Sequence, residues 1–207
     1  MIEHSSKKLF RLIDCEKIYS KKTILEDINL EIETGSFHAL VGENGSGKST
    51  LLKLMSGNEL LDKGDIFFGS HSVFHIDNPN SGEFIFISEQ SEIIVSLNLD
   101  QFIKLFQENN SNWSQDKFDY LIKARRFDLK RNFQDLSRGQ KMQFNLMMAL
   151  ASNPKALLVD EVTAVLDIEA RHFFLTELKK FSQEGGCLVI TSNICLLYTS
   201  PSPRDRG

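Results

Sequence analysis

Two short stretches carry residue types whose chemistry depends on their spacing. The first, GENGSGKS at Gly42–Ser49, fits the pattern G-x-x-x-x-G-K-[ST]. Gly42, Gly45 and Gly47 let successive backbone N–H groups turn inward around a polyphosphate, with Asn44, Ser46 and Thr50 on the same turn and helix start. Lys48 is placed to set its ammonium on the β- and γ-phosphates, and Ser49 to give its hydroxyl to Mg2+. The second stretch, ALLVDE at residues 156–161, is an apolar run ending in two acids. A buried parallel strand reads as a near-continuous apolar run, and its C-terminal end faces the ligand crevice. Asp160 is then expected to hold Mg2+, and Glu161 to polarise an attacking water.

Those stretches need particular elements around them. FHALVG leads into the glycine-rich turn as a strand, and GKSTLLKLMSG follows as a helix ended by Gly57. LFRLIDCEKIY and INLEIETG alternate apolar and polar side chains, as half-buried strands do. GDIFFG, HSVFHI and EFIFIS are further strand candidates. LDQFIKLFQ and SQDKFDYLIKARRF carry apolar residues at helical spacing, with Asp100 and Ser114 as expected N-caps. RGQKMQFNLMMALAS is a third helix, and IEARHFFLTELKKFSQEG and CLVITS close the pattern as a long helix and a strand. Strands alternating with helices imply a parallel α/β core sheet, interrupted by a helical insertion. The expected class is an α/β P-loop NTPase with an N-terminal antiparallel β subdomain and a helical insertion over about residues 91–150.

A third stretch narrows the class. DLSRGQ, residues 135–140, lies just ahead of the apolar helix that precedes ALLVDE. Here the chain resembles the ATP-binding subunits of ABC transporters, whose signature is LSGGQ, and the order of motifs matches from Tyr19 to about Asn193. The resemblance implies that Tyr19 stacks on adenine and that Gln90 contacts Mg2+ and the attacking water. It implies that Asp167 links the two active sites of a dimer. Ser137, with the N–H groups of Gly139 and Gln140, opens a helix that would face the γ-phosphate on the partner subunit's P-loop. The implied cofactors are ATP and Mg2+, and the implied partners are a second ATP-binding subunit, identical or not, and integral membrane permease subunits. Residues 111–129 are similar to the small ATPases of bacterial export-type systems, which favours export.

The chain departs from the family pattern at four places. Arg138 replaces a signature glycine, Val162 stands at a usual proline, and Val165 at a usual glycine. Asn193 occupies the position of a histidine that reads the γ-phosphate; it can donate a hydrogen bond but cannot carry charge or shuttle a proton. Slower hydrolysis than in histidine-bearing relatives is expected. Cys195–Asp205 agrees residue for residue with the in-frame translation of a transposase-library sequencing adapter. Residues 195–207 are therefore set aside from fold reasoning, residues 1–194 are taken as one ATP-binding domain, and more chain is expected beyond 194.

Bulk properties agree with this class. At 207 residues one sizeable core is expected, and the net charge of −4 gives no reason to expect nucleic acid. No apolar stretch approaches the roughly 20 residues a membrane-spanning helix needs. Cys15, Cys187 and Cys195 form no metal spacing, and His4, His38, His71, His75 and His172 match no motif position. The expectation is a cytoplasmic Mg-dependent ATPase, held at the inner face of the cell membrane through its permease. Two alternatives stand beside it: a soluble ABC protein acting on ribosomes or DNA, and an ATP-binding regulatory module with weak hydrolysis.

Overall fold

The computed structural model describes residues 8–74, 83–89, 98–161 and 165–192. The chain opens with a long antiparallel hairpin, β1 (Lys8–Tyr19) and β2 (Lys22–Glu33), closed by Ser20 and Lys21. Both turn residues have positive φ, 48° and 69°, the conformation a two-residue hairpin needs to match strand twist. β3 (Phe37–Val41) then runs to the glycine-rich turn, and α1 (Lys48–Met55) follows it. β4 (Lys63–Phe68) and β5 (His71–Ser72) return to β1, giving an antiparallel sheet in the order β2-β1-β4-β5. Of the strand expected from HSVFHI, His71 and Ser72 form β5, residues 73 and 74 are turn, and His75 and Ile76 lie outside the described residues.

β6 (Phe84–Ile87), β7 (Ala156–Val159) and β8 (Cys187–Ser192) join β3 in a second, parallel sheet ordered β3-β8-β7-β6. Between β6 and β7 come α2 (Leu99–Glu108), α3 (Gln115–Arg125), a 3-10 turn at Phe133–Asp135, and α4 (Arg138–Ala151). α5 (Ile168–Gln183) is the crossover from β7 to β8. This is the α/β P-loop architecture, with an antiparallel β region and an inserted group of helices.

Period-two alternation sorts the parallel strands between two cores. Leu157, Val159, Leu188 and Ile190 face the helical side, against α4 and α5. Ala156, Leu158, Cys187 and Val189 face α1 and the antiparallel sheet. The two sheets are joined by a ring cluster: Phe10 lies 5.0 Å from Phe68 and 5.8 Å from Phe84, centroid to centroid. On the helical side, Phe144 is fully buried and collects Phe102, Phe127 and Phe133 at 6.0–6.2 Å.

One expected cap is corrected. α2 is capped by Asn98, not Asp100: Gln101 N–H donates to Asn98 Oδ1 at 2.9 Å, and Asn98 N–H donates to Gln101 Oε1 at 3.1 Å. This reciprocal box satisfies two helix-end donors at once. Asp100 sits in the first turn instead, where the helix field favours an acid, and pairs with Lys104 at 2.8 Å. Ser114 does cap α3, accepting from Lys117 N–H at 3.3 Å.

Candidate active site

Three parallel strands end at one level. Val159 is in register with Ile190, and Val41 with Ser192, so the C-terminal ends of β3, β7 and β8 lie at one end of the sheet. An open parallel sheet binds ligands outside the carboxyl ends of its strands. Asp160 continues the β7 ladder, its N–H donating to the Ile87 carbonyl at 2.7 Å, and is only 8% exposed.

Two hydroxyls converge on that carboxylate. Ser49, at the start of α1, donates to Asp160 Oδ1 at 2.9 Å, and Thr191 donates to the same oxygen at 2.6 Å. A hydroxyl that gives its proton to a carboxylate keeps lone pairs for a cation. Among the described residues no three His, Cys, Asp or Glu converge as a metal cage. A nucleotide-bound magnesium does not need one, because it takes one or two protein oxygens and completes its shell with phosphate and water. Ser49 and Asp160 fit that requirement. Glu161 follows with φ at 52°, its N–H donating to Thr191 Oγ1 at 2.9 Å.

The glycine-rich turn is arranged around Lys48, whose ammonium donates to the carbonyls of Gly42 and Glu43, both at 2.8 Å. An ammonium has three donors, so one remains for a phosphate. Glu43, Asn44, Gly45 and Ser46 are exposed, while Gly47, Ser49 and Thr50 are half-buried. Gly47 is required here: its φ is 91°, and a Cβ would lie 2.9 Å from Leu25 Cδ2. The positive φ is the conformation glycine adopts without strain, and the side chains of Leu25 and Ile24 leave little room for a larger residue.

Tyr19, at the tip of the β1–β2 hairpin, is brought beside α1. Its hydroxyl donates to Glu59. Burial, followed by the Glu59 carboxylate, pushes its phenol up to about 12. Tyr19 is 40% exposed, with the Lys17 ammonium 5.1 Å from its ring centroid. Lys17 and Glu59 were not legible as site neighbours, since their link to Tyr19 depends on the hairpin folding back onto the segment after α1.

The signature residues form a separate group at the start of α4. Ser137 is its N-cap: Gln140 N–H donates to Ser137 Oγ at 3.2 Å, and Gln140 Oε1 accepts from Ser137 N–H at 3.0 Å. One of the two N–H groups expected to meet phosphate, that of Gln140, is thus committed to the cap. Gly139 packs against the Val165 carbonyl, which a Cβ would approach to 2.8 Å. Arg138 pairs with Glu89, beyond the end of β6. Asp167 caps α5, accepting from Ala170 N–H at 2.8 Å. Gln90, Val162 and Asn193 lie outside the described residues.

The family model described as ABC transporter matches residues 25–164. The chain belongs to that family. It is 30% identical over 190 residues to the spermidine/putrescine import ATP-binding protein PotA of Fusobacterium nucleatum, covering 89% of this chain and 50% of that protein. It is 33% identical over 198 residues to the zinc uptake system ATP-binding protein ZurA of Listeria innocua, covering 87% of this chain and 75% of that protein. The chain thus spans half the length of the first relative and three quarters of the second. Among solved structures it resembles an ATP-binding subunit of an ABC transporter, with TM-score 0.81, 22% identity, and 91% and 81% of the two chains covered. A dimeric ATP-binding cassette in a post-hydrolysis state, bound to ADP and Pi, matches with TM-score 0.76 and 22% identity, over 90% of this chain and 88% of that one. At those identities the likeness establishes the fold.

Proposed function

We propose that this ABC-family chain binds ATP with Mg2+ and hydrolyses it to drive a membrane transporter. The observation that carries this reading is the bond from the Ser49 hydroxyl to Asp160, which joins residues 111 apart into one oxygen-donor pair. The glycine-rich turn would wrap the polyphosphate with its N–H groups, and Lys48 would neutralise charge there. Ser49 and Asp160 would hold Mg2+, which supplies charge neutralisation at the phosphates when bound. Glu161, at the next position, would orient a water and accept its proton. Tyr19 would offer its ring to the base.

A second ATP-binding subunit completes the reading. The exposed start of α4, with Ser137 and Gly139, would meet the nucleotide on the partner's P-loop, and permease subunits would dock on the helical region. A related cassette has been solved as a dimer, and no described helix here is long and apolar enough to cross a membrane. The names of the two curated relatives, import and uptake, support import. Residues 111–129 resemble the export type. Uptake and efflux assays with the cognate permease would separate these directions.

The role of Glu161 gives the direct test. In Glu161→Gln, ATP turnover is expected to fall about 10²–10⁴-fold, the usual worth of a positioned base, while nucleotide stays bound and stabilises the dimer in gel filtration. Turnover equal to that of the natural chain would remove Glu161 from the mechanism.

A further inference from the structure

We infer that Thr191 is a positioning residue for both acids of the site, an inference that rests on the ATPase reading above. β8 is apolar and buried through Cys187, Leu188, Val189 and Ile190, and Thr191 is the next residue, wholly buried. A polar group at a wholly buried position needs hydrogen-bond partners, and this one has two that matter. Its proton goes to Asp160 Oδ1 at 2.6 Å, and its oxygen accepts from Glu161 N–H at 2.9 Å. One hydroxyl therefore fixes the side chain of the first acid and the backbone of the second.

Both restraints bear on the chemistry. Asp160 Oδ1 is otherwise held by Ser49, a group that must also serve the metal. Thr191 holds the same oxygen from the buried end of β8, whatever the glycine-rich turn does. Glu161 has a left-handed backbone, φ 52°, a conformation disfavoured for any residue with a Cβ. The bond from its N–H to Thr191 anchors that conformation, and with it the point from which the Glu161 side chain departs.

The test uses the full chain as Thr191→Val and Thr191→Ser. Valine keeps the shape and removes the hydroxyl, whereas serine keeps the hydroxyl and removes a methyl. Three quantities are measured: turnover against Mg2+ concentration, Mn2+ affinity by electron paramagnetic resonance with a non-hydrolysable ATP analogue, and fluorescent nucleotide binding in EDTA. Residues that orient metal ligands typically matter about 10–100-fold in affinity or activity. Thr191→Val is expected to weaken Mn2+ and lower turnover in that range, with metal-free nucleotide binding unchanged, and Thr191→Ser to restore both. Valine behaving as the natural chain, or serine as impaired as valine, would overturn the inference. A natural chain that binds no nucleotide would instead overturn the ATPase reading, and this inference with it.

Discussion

The two halves of the candidate site are built differently. Around Asp160, the bonds link residues 111 and 31 positions apart, and the carboxylate is 8% exposed. At the start of α4, the bonds run mostly between near neighbours, three and nine positions apart, and Ser137 and Arg138 are exposed. The first half is assembled by the sheet and buried within it. The second is a helix start whose side chains satisfy one another locally and whose outer face is left accessible. A group fixed by its own chain's core is buried with that core, whereas a helix start capped by its own neighbours can stay at the surface, open to another molecule.

Substitutions can break this contrast in order of size. Of three further substitutions, Lys48→Ala should do the most, lowering ATP turnover by about 10²–10³-fold, the usual loss when a charge-stabilising donor is removed. Unfolding should be little affected; a large drop in melting temperature would mean that the lysine's bonds to the Gly42 and Glu43 carbonyls are structural. Ser137→Ala should come next, costing about 1 kcal/mol of stability through the lost cap, read as a melting shift of roughly 2–4 °C for a chain of this size. No shift at all would show that the cap is dispensable. Arg138→Gln, which keeps helix propensity, should be smallest, because its side chain is 75% exposed and such ion pairs contribute about 0–1 kcal/mol. A larger loss, or one insensitive to salt, would move the signature half toward the buried regime.

Contiguity decided what could be read in advance. GENGSGKS and ALLVDE are unbroken runs, and the structure joins them through Ser49 and Asp160. Thr191 is one polar residue in an apolar strand, and its meaning comes from the parallel register that sets it beside Asp160. The start of β2 was equally hidden. KKTILED has little apolar alternation, and the Ser20–Lys21 turn adopts positive φ at both positions without glycine or asparagine, so no turn signal marked it. Asp100 has the residue type of an N-cap and stands at the head of the apolar periodicity, so the sequence points to it. Asn98, two residues earlier, makes the reciprocal pair with Gln101, and that geometry depends on where the helix truly begins.

Since Asp160 receives hydrogen bonds from residues 111 positions upstream and 31 downstream, this half of the candidate site exists only after β7 and β8 have paired through the α5 crossover. A partly folded chain therefore has nothing comparable to offer a nucleotide. Binding then acts as a thermodynamic filter on folding: at a free ligand concentration one hundred times its Kd, the finished fold gains about 2.7 kcal/mol over every incomplete one. Refolding in the presence of Mg-ATP should for that reason return a larger native fraction than refolding without it.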